Sequence, residues 1–275
     1  MLQYLEYGFF VQALLAVALL SVCSAVIGTY IITRRMVALS GGVTHACFGG
    51  LGLGYFLGIS PVAMAAVFAV GSSLGVELLS RNLKLREDSA IAVIWALGMA
   101  LGTLFVFMTP GYVPELNSFL FGNILTVNPS DLLLFAAYAV LLAAFFAWKR
   151  RTIVAVAFDR DFATVSGLPV RFISYTMTVM VAVCIVLTIR LVGIMLLMSV
   201  MSLPMITAEV FCHRFMPVMI VSALVSLAAS VAGLFLSTVI DVPCSALIVL
   251  ILAGAFIIAK VAVLIRFRVF SSRRV

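Results

Sequence analysis

The chain has 275 residues, of which 65% are hydrophobic and only 10% are charged, and its mean hydropathy is +1.31. This composition excludes an ordinary soluble domain and predicts a membrane protein. The formal net charge of +7 would also suit a nucleic-acid partner, but the basic residues lie between long apolar runs, as in the loops of membrane proteins. No soluble domain or internal repeat interrupts the pattern, which predicts a single transmembrane domain over residues 1–275.

Nine apolar runs approach the roughly 20 residues that a helix needs to cross the hydrocarbon core. They cover residues 8–33, 43–59, 61–80, 90–109, 131–148, 172–189, 193–211, 217–237 and 242–264. The second run is short and meets the third at a tight junction, so eight spans and a half-helix remain an alternative. The predicted fold is therefore an all-α, polytopic membrane protein with about nine transmembrane helices.

The Lys and Arg residues predict the orientation of these spans. If the N-terminus lies outside and the runs alternate in direction, sixteen of the 17 basic residues lie on one side and only Arg190 lies on the other. Cytoplasmic loops carry such an excess, so we expect the N-terminus outside and the C-terminus in the cytoplasm. Glu6 stands where a secretory signal is positively charged, and no small-residue cleavage site follows, so we expect the first run to be retained as a span.

A polar loop at about 149–171 is the only sizeable segment that carries both charge signs. Within it, residues 161–167 predict a short helix, because Asp161 stands near its start, Gly167 suits a left-handed stop and Pro169 follows. A compact helix on the aqueous side of a membrane protein indicates contact with a partner protein.

The second run carries small residues at every fourth position. Ala46, Gly50, Gly54 and Gly58 would form a stripe without bulky side chains on one face of a helix. We expect this stripe to serve helix packing.

His45 opens the same run. An ionisable side chain is costly in lipid, so His45 is expected to face the bundle interior or a water-filled path. A neutral imidazole is a common ligand of transition metals. A lone histidine is more often a structural hydrogen-bonding group, and both interpretations stay open.

Two glutamates lie near the inner ends of predicted spans, Glu77 in the third and Glu209 in the seventh. We expect them to pair with Arg81 or Arg214, and the alternative is that they line an exit path. Four methionines share one helix face, where packing is expected and Cu(I) ligation is the alternative. They are Met195, Met198, Met201 and Met205.

The sequence offers no energy source of its own. No lysine follows a glycine, so there is no Walker A motif. No acidic residue lies at the centre of a span, where an ion-coupled carrier usually needs one. Both features indicate that a separate subunit supplies the energy.

Several short motifs follow one another along almost the whole chain. They are Gly28-Thr29-Tyr30, Arg34-Arg35-Met36, Thr44-His45-Ala46, Glu87-Asp88-Ser89-Ala90-Ile91, Ser118-Phe119-Leu120-Phe121-Gly122-Asn123-Ile124-Leu125, Phe158-Asp159, Ser166-Gly167-Leu168-Pro169, Val192-Gly193 and Asp241-Val242-Pro243. In this order they resemble the family 3 permeases, the membrane subunits of ABC-type importers for zinc, manganese and iron.

The resemblance implies a multi-pass permease of the bacterial cytoplasmic (inner) membrane that imports a divalent zinc, manganese or iron ion by alternating access. Its implied partners are ATP-binding cassette ATPase subunits, a second permease copy or homologue, and an extracytoplasmic metal-binding protein. The permease would be no enzyme and would bind no cofactor, since ATP is bound and hydrolysed by the separate ATPase subunit.

The same resemblance implies roles for particular residues. It identifies a coupling helix that contacts the ATPase, with the motif positions Asp159, Asp161, Ala163 and Gly167. It also offers three metal-pathway residues as a hypothesis, namely His45, Asp241 and Glu209.

This sequence departs from the family pattern beside the candidate pathway. The family commonly has an acid four residues before the histidine, where this chain has Gly41, and Gly49-Gly50 replace the usual Pro-Gly. Cys244-Ser245 follow Pro243 where a small hydroxyl residue and a glycine are typical. The missing acid removes one pathway ligand, so the choice among the metals stays open.

Other functional classes fit the sequence less well. The alternative transporter is a secondary, ion-gradient-driven metal carrier. A membrane-embedded metalloprotease would need a motif such as His-Glu-x-x-His, and the two histidines of this chain lie far apart.

Overall fold

A computed structural model describes residues 7–82, 85–110, 122, 124 and 127–271. Within these residues the chain is helical and contains no strand. The helices are α1 (Gly8–Thr33), α2 (Ala38–Leu57), α3 (Pro61–Asn82), α4 (Glu87–Met108), α5 (Pro129–Phe158), α6 (Arg160–Val165), α7 (Val170–Val200), α8 (Leu203–Glu209), α9 (Phe215–Ile240) and α10 (Cys244–Ser271). The predicted all-α class is confirmed. Glu6 lies outside the described residues.

Seven stretches of the described residues are long and apolar enough to cross a membrane, and Val170–Glu209 counts as one of them. The protein is therefore a multi-pass membrane protein. The 20-residue helix α2 has the length of a span but is rich in glycine, and it is not among the seven. Helices α1 and α7 are the most buried of these stretches, whereas α4 and α10 keep most of their surface exposed.

Helix α7 breaks at Gly193, where φ is 80° and ψ is 173°. This backbone conformation suits glycine because no Cβ opposes it. Just before the break, Arg190 pairs with Asp131 at 2.7 Å. After it, the chain continues to Glu209, which lines the same cavity as Arg34. The break therefore separates the predicted sixth and seventh runs, which lie within one stretch of the structure.

Helix α2 packs closely against α3 and α4 through glycines. A Cβ added at Gly50 would overlap the backbone of Met64 in α3, and one added at Gly52 would overlap Gly102 in α4. Larger side chains would push these helices apart. Helices α2, α3 and α4 thus form one tightly packed unit.

The predicted small-residue stripe ends before Gly58. Gly54 lies against Pro61, but a Cβ added at Gly58 would meet nothing within 4 Å. Gly58 is exposed and caps the C-terminus of α2 with a φ of 66°. The prediction of a packing role for Gly58 is wrong, because this residue ends the helix in a left-handed conformation instead.

Two predicted boundaries differ from the structure. Helix α2 begins at Ala38, so His45 lies about two turns into the helix rather than at its start. Helix α5 continues past a single irregular residue, Lys149, to Phe158. The first half of the predicted polar loop is therefore helical, because its apolar residues Ile153 and Val156 are buried against the bundle.

Candidate coupling helix and translocation site

The short helix α6 is built by local signals at both ends. The Asp159 carboxylate accepts a hydrogen bond from the Phe162 N–H at 2.9 Å, which caps the N-terminus. Asp161 lies in the first turn, where a negative charge favours the helix dipole. Beyond the last turn, Gly167 takes a φ of 72° and Leu168 N–H bonds to the Ala163 carbonyl at 3.1 Å. The helix starts one residue before the predicted Asp161.

The faces of α6 differ sharply in exposure. Ala163 is fully buried, whereas Asp159, Asp161 and Gly167 are exposed. Phe162 is also exposed, and Val165 is 89% exposed. The helix thus presents apolar side chains away from the bundle that it is anchored to.

Four charged residues form an ion cluster beneath this helix: Arg34, Glu77, Glu87 and Arg160. Glu77 is only 2% exposed, and its carboxylate accepts a hydrogen bond from the Arg160 guanidinium. Arg34 lies 3.6 Å from Glu77 and 2.7 Å from Glu87, and Arg160 lies 4.0 Å from Glu87. Each carboxylate therefore faces both arginines.

The ion cluster corrects the expected partner of Glu77. Within the described residues no ion pair joins Glu77 to Arg81 or Arg214. Glu77 is buried where the end of α1 and the start of α6 converge, so it pairs with Arg34 and Arg160. The sequence separation of 83 residues between Glu77 and Arg160 leaves no local pattern that could predict this pair.

Arg34 is held in place by more than its carboxylate partners. It caps the C-terminus of α1 and donates a hydrogen bond to the Tyr30 hydroxyl at 3.1 Å. Burial alone would lower the pKa of Arg34, but interactions with Tyr30, Glu87 and Glu77 outweigh it, so the pKa of Arg34 is raised above its ordinary value. This guanidinium stays charged in its buried position.

A cavity of about 920 Å³ opens beside the ion cluster at this end of the bundle. Among the charged residues of its lining, the basic ones, which include Arg35, Arg214 and Lys260, outnumber the carboxylates of Glu87 and Glu209. Glu209 is exposed, and no ion pair is recorded for it in the described part of the chain, so the expected pairing with Arg214 is not found. Glu209 lies at the mouth of the bundle.

His45 is half-buried in α2, and within the described residues no ion pair joins it to a charged side chain. Its ring stacks on Trp95 of α4, with centroids 4.5 Å apart and planes inclined by 7°. A groove of about 590 Å³ runs past Trp95, Gly41 and Met198. The methyl end of Met198 occupies the space beside Gly41, 2.9 Å from where a Cβ would stand.

The structure does not bring the three candidate pathway residues together. Asp241 is exposed at the C-terminus of α9, in a left-handed conformation with a φ of 58°. Glu209 precedes the start of α9, and a helix of 26 residues is about 39 Å long. Among the described residues no group of three His, Cys, Asp or Glu could hold a metal ion. The described residues thus offer His45 as a single ligand rather than a metal-binding cage.

The sequence did not predict that Trp95 stacks on His45 or that Met198 lies beside Gly41. It also did not predict that Arg34, Glu87 and Arg160 form the ion cluster with Glu77. Arg34 and Glu87 were present in the motifs that carry the resemblance, but a motif does not show which side chains meet. Trp95 carried no signal beyond its place in an apolar run.

Comparison with known proteins places the chain in a family. Residues 6–263 match the model of the ABC 3 transport family. A probable metal transport system membrane protein of Chlamydia pneumoniae is 33% identical, over 81% of this chain and 78% of that protein. A probable iron transport system membrane protein of Haemophilus influenzae is 30% identical, over 98% of each chain. The manganese transport system membrane protein MntC of Halalkalibacterium halodurans is 29% identical, over 94% of this chain and 88% of that protein.

The fold also matches a solved structure, PsaBC from Streptococcus pneumoniae in complex with Fab. The TM-score is 0.80 at 24% identity, and the match covers 94% of this chain and 95% of that chain. This likeness shows that the two chains share a fold. The family match over nearly the whole length shows more: the chain is a member of the ABC 3 transport family.

Proposed function

We propose that this protein is the membrane subunit of an ATP-driven importer that carries a divalent transition metal ion, manganese, iron or zinc, across the bacterial inner membrane. The observation that carries the proposal is α6, a capped helix that exposes Phe162 and Val165 outside the bundle, in a chain of the ABC 3 transport family. The relatives named for manganese and iron transport support the choice of cargo.

The proposed topology has nine crossings, with the N-terminus outside and the C-terminus in the cytoplasm. It is supported by the basic residues that surround the large cavity and by the Asp131–Arg190 pair at the opposite end. In this topology α2 crosses despite its glycines, and the segment from Gly193 to Glu209 returns to the cytoplasmic side.

The partner of α6 in this proposal is a separate ATP-binding cassette ATPase. Phe162 and Val165 would fill an apolar cleft on the ATPase, Asp159 and Gly167 would fix the two ends of the helix, and Ala163 would seat it on the bundle. A second permease copy and an extracytoplasmic metal-binding protein complete the proposed importer.

The proposed metal route passes His45. A neutral imidazole binds first-row transition metals, and one such ligand holds an ion more weakly than a cage does, which suits transit rather than storage. Glu209 would receive the ion at the cytoplasmic mouth, and Asp241 would attract it on the outer side. ATP-driven closure of the ATPase would switch the route between outward-open and inward-open states.

An ATPase-binding assay tests the proposed partner. Val165→Asp places a charge on the exposed apolar face and should abolish copurification of the proposed ATPase subunit when the two are expressed together. Ser89→Asp is the matched control, because it adds the same charge at the exposed start of α4, where an acid favours the helix dipole. Equal copurification of the ATPase with both variants would contradict the proposed contact.

A further inference from the structure

The first residue of α6 reaches deep into the bundle. Helix α6 packs against the helices that flank it in the chain, α5 and α7. Arg160 extends from it to Glu77 of α3 and Glu87 of α4. These ion pairs connect α6 to helices that lie more than 70 residues earlier in the chain.

The carboxylates of this cluster belong to the tightly packed unit of α2, α3 and α4. Glu77 lies near the end of α3, and Glu87 is the first residue of α4. Because the backbone of α2 lies directly against α3 and α4 at its glycines, a displacement of Glu77 and Glu87 would move α2 with these helices. Helix α2 carries His45, and α4 carries Trp95, which stacks on it.

Arg34 ties the same carboxylates to α1, which packs against α9 and α5 rather than belonging to this unit. The two glutamates are thus shared between an arginine on α6 and an arginine on α1. A carboxylate that is shared by two arginines can move closer to one and away from the other while it stays paired. Such a movement leaves no buried charge without a partner.

We infer that Arg160 is a positioning residue that transmits movement of the coupling helix to the α2, α3, α4 unit, and hence to His45 and Trp95, through Glu77 and Glu87. The inference rests on the proposed function, since it requires an ATPase that moves α6. The exposed apolar face of α6 serves binding, whereas Arg160 serves transmission. Loss of Arg160 should therefore separate ATP hydrolysis from transport.

The test uses Arg160→Gln in the full complex of permease, ATPase and metal-binding protein, reconstituted in vesicles. Arg34 remains 3.6 Å from Glu77, so this variant leaves no buried carboxylate without a partner. We expect the ATPase to copurify and to hydrolyse ATP within about twofold of wild type, while metal ions transported per ATP fall about tenfold, a size typical of coupling between sites. Arg160→Lys, which keeps the charge, should recover most of that ratio.

Arg171→Gln is the matched control, because Arg171 is an exposed arginine at the start of α7, and within the described residues it makes no ion pair. It should leave the ratio unchanged. If Arg160→Gln transports as many ions per ATP as wild type, or if Arg171→Gln loses as much, the inference is overturned.

A second variant separates transmission from assembly. Glu87→Gln changes the cluster from α4 and leaves α6 intact, so its transport per ATP should also fall while the ATPase still copurifies. If Arg160→Gln fails to bind the ATPase and Glu87→Gln keeps the wild-type ratio, Arg160 only shapes the docking site and the inference fails. If the wild-type complex shows no ATP-dependent uptake, the proposed function itself fails, which is a distinct result.

Discussion

Removal of the N-cap of α6 tests whether this proposed coupling helix must be formed before the proposed ATPase partner binds. Helix α6 has six residues, too few to be stable without supporting contacts. Replacing an N-cap aspartate by alanine costs about 1 kcal/mol of helix stability. If the helix must form for the ATPase to bind, this free-energy cost reduces the free energy of binding. Asp159→Ala should then weaken the affinity for the ATPase roughly fivefold.

The assay is equilibrium binding of the isolated ATPase to the permease in lipid nanodiscs. Asp159→Asn is the matched control, because asparagine keeps the side-chain oxygen that accepts from the Phe162 N–H but removes the charge. We expect Asp159→Asn to bind the ATPase almost as tightly as wild type. An asparagine variant as weak as the alanine variant, or an alanine variant at wild-type affinity, would refute the capping argument.

Three further outcomes follow from particular residues. Gly167→Val forces a branched side chain into a left-handed conformation, at a cost of about 1–2 kcal/mol, and should weaken ATPase binding in the same assay, whereas Gly167→Asn should weaken it less. Gly50→Leu should lower the thermal unfolding midpoint of the purified permease, because its side chain would overlap the backbone of α3. Gly71→Leu should leave the midpoint unchanged, because a Cβ at Gly71 meets nothing within 4 Å. Equal midpoints for the two variants would contradict the packing argument. His45→Ala should lower metal uptake about tenfold with normal assembly, and unchanged uptake would return His45 to a structural role.

Local patterns in the sequence predict the elements but not their contacts. Apolar runs locate the long helices, because lipid requires each span to be apolar and hydrogen-bonded within itself. Asp159, Gly167 and Pro169 predict the short helix, because caps and stops act within a few residues. These signals lie in the sequence itself.

Local sequence patterns do not predict which side chains of distant helices contact one another. Glu77 could be expected to pair with a nearby arginine, yet its partners come from α1 and α6. The stack of His45 on Trp95 depends on how closely α2 approaches α4, which the glycines permit but do not by themselves specify. Gly58 fits the four-residue spacing of the packing stripe, but it lies one residue beyond the end of α2. Helical spacing predicts the face of a residue only within the helix.

The measurement that tests the central claim most directly is uptake of radiolabelled manganese, zinc and iron into vesicles that contain this permease, its ATPase and its metal-binding protein. ATP, or a non-hydrolysable analogue, is enclosed on the side of the ATPase. We expect one metal to accumulate only with hydrolysable ATP, and that metal is then the substrate. Accumulation driven by an ion gradient in the absence of ATP would contradict the account and would favour a secondary carrier.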